Sequence, residues 1–299
     1  MPDIPPTSLG QHDSIALGPT AAAELFSLDR LDDDRFRHVG KPVDPRFTGL
    51  FGGVPLALAL RAAGLTVAAD RHPHSLHAYF LRPGSSVDPM DLQVERDTDG
   101  RSFSARRVVV TQQGRTVFTM SASFHVREEG PELAVAAFPV DVPDPDSLPA
   151  GDLLPFRPSS AVEVRNVGTG FGSAVPNQAW GRAVEPVGDD PLLHACVLVH
   201  FSDLYTGLPA RPGTGDAGGP SLDHGFWFHR PPDLDDWVLM DLRPIAAAGG
   251  RGLYGGSFFD RRGRLLASLT QEVLYSSSRP PRQLPAWLEA EKQPPPHGG

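Results

Sequence analysis

The pattern Phe-x-Arg-Pro is written twice, in SLHAYFLRPG (75–84) and in DHGFWFHRPP (223–232). Its phenylalanines, Phe80 and Phe228, stand 148 positions apart (228 − 80) in a chain of 299 residues. A repeat at half the chain length predicts a duplicated domain, and the echo should then extend further and keep its order. It does both. After the first copy, DGRSFSARRVVVTQQGRTVFTMSASFHV holds two β-rich runs joined by a polar turn at Gln112–Arg115, the pattern of an antiparallel hairpin. After the second copy, GGRGLYGGSFFDRRGRLLASLTQEVLY turns at Asp260–Gly263, and the two turn glycines, Gly114 and Gly263, are 149 apart (263 − 114).

Upstream of each copy lies an apolar run, GGVPLALALRAAG (52–64) and DPLLHACVLVHFSDL (190–204). Both have the length and composition of a helix wrapped on several sides, with Pro55 and the pair Asp190-Pro191 as acceptable starts. Strands are expected before them, in RFRHVG (35–40) and in AVEVRNV and QAWGRAV of the second half. Each half thus reads as a strand, a buried helix and several antiparallel strands. Residues 131–158 carry seven prolines and read as a linker; the last 21 carry six and read as a tail. The expected organisation is an N-terminal repeat over 20–130, the linker 131–158, a C-terminal repeat over 159–278 and the tail 279–299.

Composition narrows the chemistry. The net charge is −9, from 27 basic and 36 acidic residues, and Arg106-Arg107 and Arg261-Arg262 are the only paired arginines. Nucleic acid is therefore not an expected partner. Cys196 is the single cysteine, which excludes an intrachain disulfide and a thiolate zinc cage and suits a reducing, cytoplasmic setting. No run approaches the ~18 apolar residues of a membrane span. The start lacks a secretory pattern and the final PPPHGG lacks the peroxisomal tripeptide, so neither export nor a membrane partner is expected. HPHSLH (72–77) offers histidines without a further ligand, and NVGTGFGSAVP (166–176) has the wrong spacing for a dinucleotide loop. G-x-S-x-G, P-loop and H-E-x-x-H patterns are absent from the sequence. No cofactor and no metal are expected.

One helix wrapped by an antiparallel sheet, twice over, is the double-hotdog form of an α+β fold. The sequence resembles the acyl-CoA thioesterase II family in FGG (51–53), HAYFLRPG (77–84), GRSFSARRV (100–108), SDL (202–204), LDHGFWFHRP (222–231) and ASLTQE (267–272). These elements run in family order over most of residues 25–276. The resemblance implies hydrolysis of an acyl-CoA substrate to fatty acid and coenzyme A. It also implies assembly as a homodimer or larger homo-oligomer, since hotdog sheets often continue across a subunit contact.

The two halves differ where chemistry would sit. Aligned, Ala62-Ala63 faces Ser202-Asp203, Pro73 faces Ser221, and Ala122 faces Gln271. Singly, each polar residue has an ordinary structural reading as a cap, turn or surface group. Jointly, they point to one site per chain. The resemblance implies the same three, because the family's Asp, Thr and Gln fall on Asp203, Ser221 and Gln271, with Ser standing for Thr. Asp203 can take a proton from water while Ser221 and Gln271 hold that water in line, so no covalent nucleophile is needed. Gly52 and Gly53, at a helix start, are candidates for oxyanion or substrate binding, or else simply permit close packing. Val54-Pro55 departs from the polar residue common there in the family. A hotdog hydratase would carry D-x-N-P-x-H, which this sequence lacks. A non-catalytic acyl-CoA binder is the other alternative, and it would have no need of the carboxylate.

Overall fold

A computed structural model describes residues 21–40, 49–150, 161–168, 177–211 and 219–276. After a short helix α1 (Ala22–Leu25), the two apolar runs form α2 (Gly53–Gly64) and α3 (Pro191–Ser202), twelve residues each. Ten of the twelve are buried in both, so neither helix needs a polar face. Asp190 starts α3: its Oδ1 accepts the Leu193 N–H at 2.9 Å, with Pro191 in the first turn. Its Oδ2 accepts from Arg61 Nη1, near the end of α2, at 3.0 Å. The helices therefore run antiparallel, and the start of α2 meets the end of α3.

The strands are β1 (Asp29–Arg30), β2 (Arg35–His38), β3 (Arg71–Phe80), β4 (Met90–Asp99), β5 (Phe103–Gln112), β6 (Arg115–Val126), β7 (Val162–Gly168), β8 (Gln178–Ala183), β9 (Asp223–Phe228), β10 (Val238–Ala248), β11 (Arg251–Asp260) and β12 (Leu265–Leu274). They form one twelve-stranded sheet in the order β1-β2-β4-β5-β6-β3-β9-β12-β11-β10-β8-β7. Counted outward from β3 and β9, the two sides have the same order with six added to each strand number. The central pairing obeys the sequence offset too. His77 pairs with Gly225, 148 positions on (225 − 77), and the same shift exchanges the pairs Ser75↔Trp227 and Tyr79↔Asp223. This large antiparallel sheet with few helices fits a double hotdog.

Both expected hairpin turns are present, with Gly114 (φ 73°) and Gly263 (φ 80°) in the left-handed region. Prolines within strands sit at irregularities, between Pro73 and Ser75 and between Pro244 and Ala246, where a missing N–H breaks the ladder. The linker is more than a tether. Its described part, 131–150, contains no strand or α-helix, yet Phe138, Val142 and Leu148 pack on Trp180, Trp237, Leu239 and Phe259. Trp180 Nε1 donates to the Pro143 carbonyl at 3.0 Å, and Arg261 holds Asp144 and Asp146 at 2.8 and 2.7 Å. The tail 279–299 and most of the 166–176 loop lie outside the described residues.

Asp190 both caps α3 and ties it to α2. Asp190→Ala should lower the free energy of chemical unfolding by about 1–2 kcal/mol. A change within roughly 0.3 kcal/mol, the scale of an inconsequential surface substitution, would contradict this role.

Candidate active site

Asp203 is the residue that ends α3, and it is 6% exposed. A buried carboxylate is costly, and the negative end of a helix dipole raises that cost. The surroundings offset it. Gln271 on β12 donates from Nε2 to Asp203 Oδ1 at 2.8 Å, and Ser221 Oγ donates to the same oxygen at 3.2 Å. Gln271 Nε2 also donates to Ser221 Oγ at 2.8 Å, so both of its amide hydrogens are used. Ser221 lies just before β9 and is fixed by its bridge to Val273 and by the Leu222 N–H donated to the Glu272 carbonyl at 2.9 Å. The three side chains singled out in the sequence thus meet at one carboxylate.

The start of α2 approaches from the other side. A Cβ added to Gly52 would lie 2.7 Å from Asp203 Oδ2 and 2.8 Å from Phe80 Cε1. Only glycine allows so close an approach, and the positive end of α2 faces the carboxylate there. Among the described residues, no hydrogen-bond donor reaches Oδ2. Gly53 is different. A Cβ there would strike the Phe51 ring at 2.6 Å and the His200 carbonyl at 2.8 Å, so this glycine permits helix packing.

His224 on β9 belongs to the same cluster and is not among the residues singled out in the sequence. It is 1% exposed, with Nδ1 2.6 Å from Gln271 Oε1 and Nε2 3.0 Å from Ser202 Oγ. Burial pushes its pKa below the ordinary value, opposed by the charge of Asp203 and the bond to Gln271, which leaves a neutral ring. A signal was present in the sequence. The alignment that pairs Phe80 with Phe228 also pairs Leu76 with His224.

Among the described residues, the matching positions of the first half carry no counterpart to this chemistry. Leu76 pairs with Ala122 in the β3–β6 register, and Pro73 pairs with Phe124 as Ser221 does with Val273. A cavity of 340 Å³ lies at that end of β3 and β9, lined in part by His72, Pro73, His74, Phe228 and His229. It does not include Asp203. Elsewhere, His194, Asp233 and Asp235 come close enough to suggest a cation site. Both ring nitrogens of His194 are taken, Nε2 by the Gly188 carbonyl at 2.8 Å and Nδ1 by the Leu234 N–H at 3.0 Å. Burial raises the Cys196 thiol to about 12, which makes it a core residue without thiolate chemistry. Among the described residues no helix is long and apolar enough to cross a membrane.

Comparison with known proteins agrees with the fold. Residues 43–125 match the family model of the acyl-CoA thioesterase N-terminal domain, and 136–275 match that of the C-terminal domain. Acyl-CoA thioesterase 2 of Haemophilus influenzae is 34% identical over 273 residues, covering 84% of this chain and 95% of that protein. The crystal structure of acyl-CoA thioesterase II TesB2 from Mycobacterium marinum matches with a TM-score of 0.69 at 33% identity, over 87% of this chain and all of that one. A hot dog fold protein of unknown function from Alicyclobacillus acidocaldarius, 22% identical, matches with a TM-score of 0.70 over 86% of this chain and 98% of its own. This chain belongs to the acyl-CoA thioesterase II family and is a thioester hydrolase.

Proposed function

We propose that the chain hydrolyses fatty acyl-CoA at a single site in which Asp203 activates a water. The observation that carries this reading is the asymmetry of Asp203: Oδ1 accepts from both Gln271 and Ser221, while Oδ2 lies against the start of α2 at Gly52. A water bound beside Oδ2 gives it a proton as its oxygen attacks the thioester carbonyl carbon. The tetrahedral oxyanion is met by backbone N–H groups at the start of α2, around Gly52 and Gly53. Its collapse breaks the C–S bond, and the proton held on Asp203 passes to the departing coenzyme A thiolate. Ser221 Oγ accepts from Gln271 and donates to Asp203, which leaves it one lone pair for the water's second proton. Gln271, with both amide hydrogens spent, acts by fixing Asp203 and Ser221. Membership of the family sets aside the hydratase and the non-catalytic binder.

The organisation that goes with this reading is two hotdog repeats, 20–130 and 159–278, each a buried helix wrapped by its half of the sheet. The strand order and the 148-residue offset support it. Residues 131–158 connect the repeats and 279–299 form a tail. A cytoplasmic setting rests on the single, buried Cys196. Assembly as a homodimer or larger is part of the same reading, with the sheet continuing into another copy.

Asp203→Asn keeps the shape and removes the base, so thiol release from acyl-CoA should fall by ~10² to 10⁴ while the protein stays folded. Turnover near wild type would remove Asp203 from the mechanism. Gln271→Ala should also lose most activity, whereas Ala122→Gln, in a half with neither carboxylate nor hydroxyl, should create none. Comparable losses from disruptive substitutions at both positions would indicate two sites.

The neighbouring glycines should separate in their effects. Gly52→Ala puts a methyl group against Oδ2 and should cost roughly 100-fold in turnover. Gly53→Ala should instead cost about 1–3 kcal/mol in stability through overpacking. The reverse pattern, measured by thiol release and thermal unfolding, would contradict the roles assigned to them.

A further inference from the structure

We propose that His224 is a positioning residue for the hydrolysis, fixing which end of the Gln271 amide faces Asp203. The inference rests on the proposed role of Asp203, Ser221 and Gln271 and extends it to a buried side chain that touches neither water nor substrate. The hydrogen bonds close on themselves. Asp203 Oδ1 accepts from Gln271, Gln271 Oε1 lies 2.6 Å from His224 Nδ1, and His224 Nε2 lies 3.0 Å from Ser202, the residue before Asp203. The register Gly225↔Thr270 brings His224 opposite Gln271 on neighbouring strands.

Proton positions follow by elimination. A carboxylate oxygen only accepts, so the amide NH₂ of Gln271 faces Asp203 and its Oε1 faces His224. Two acceptors cannot face each other at 2.6 Å, so the proton of the neutral ring is on Nδ1. Nε2 is then an acceptor. The hydroxyl proton of Ser202 is shared between it and the Val199 carbonyl at 2.7 Å.

An amide is nearly the same shape after a half-turn about its last torsion, so packing alone holds its orientation weakly. Before reaction the charge on Asp203 selects the NH₂ end. Once Asp203 has taken the water's proton that charge is gone, and the Nδ1–H of His224 is what keeps Oε1 turned away until the proton leaves. The first half has Leu76 and Ala122 at the matching, directly paired positions, both buried and apolar. The histidine and the glutamine thus occur together, in the half that holds the carboxylate.

Two replacements divide the ring's functions. His224→Asn places an amide NH₂ where Nδ1 was and can still donate to Gln271. His224→Gln reaches the Nε2 position, towards Ser202, and cannot. With butyryl-, decanoyl- and palmitoyl-CoA as substrates, His224→Leu and His224→Gln should lower kcat by ~10- to 100-fold with KM little changed, and His224→Asn should recover most of the loss. In a Gln271→Ala background, His224→Leu should cost nothing further, since its effect passes through Gln271. Melting temperatures taken alongside separate folding from function, and the Asn and Gln variants carry the test if the Leu variant does not fold. Equal kcat for the Asn and Gln variants, loss that follows melting temperature alone, or an additive loss in the Gln271→Ala background would overturn the proposal. If Asp203→Asn and Gln271→Ala are inactive while His224→Leu keeps wild-type kcat, the role of His224 alone fails. If Asp203→Asn and Gln271→Ala themselves turn over normally, the water mechanism fails and takes this inference with it.

Discussion

The pairing of β3 with β9 is the contact on which the rest depends. It joins two halves of a twelve-stranded sheet at the pair His77↔Gly225 and sets the halves facing one another about that point. Each half carries its own buried helix, so the same pairing lays α2 and α3 antiparallel, with the start of one at the end of the other. It also bonds the Phe80 N–H to the Leu222 carbonyl at 3.0 Å, and the Phe80 ring packs against Gly52. The proposed site is therefore composite. The second half supplies Asp203, Ser221 and Gln271, and the first supplies Gly52 and Phe80.

Symmetry of this kind creates two helix-start to helix-end junctions, and the chain uses them differently. At one, Asp190 is half exposed, caps α3 and pairs with Arg61, which is an ordinary stabilising arrangement. At the other, Asp203 is buried without a cationic partner among the described ion pairs and depends on neutral donors. Neutral hydrogen bonds from Gln271 and Ser221, both to Oδ1, stabilise it in place of an ion pair. The start of α2 can approach Oδ2 because residue 52 has no side chain.

Much of this was legible in the sequence because duplication writes its own alignment. Phe80 with Phe228, and Gly114 with Gly263, gave the offset, which exposed Ser221 and Gln271 as polar residues facing Pro73 and Ala122, and aligning the two apolar helices put Asp203 opposite Ala63. His224 facing Leu76 carries the same mark, but its bonds to Gln271 and Ser202 exist only in the folded chain. The distinction between Gly52 and Gly53 was out of reach, since it depends on where a Cβ would point in the assembled fold. β4 and β10 were hard to delimit for a physical reason. Each alternates or is buried at its start, then runs on exposed, through charged residues in β4 and through Pro244 and three alanines in β10. The linker's docking escaped because its partners, Trp180, Trp237 and Phe259, come from three separated segments.

The central claim is that a water held at Asp203 attacks the thioester directly, with Ser221 as a hydrogen-bonding partner and never an acylated nucleophile. A single turnover of acyl-CoA in ¹⁸O-labelled water, stopped at short times and followed by mass spectrometry of both protein and released acid, tests it most directly. The account predicts one labelled oxygen in the acid and an unmodified protein mass at every time point. An acyl group found on Ser221 that forms and decays at the rate of turnover would contradict it.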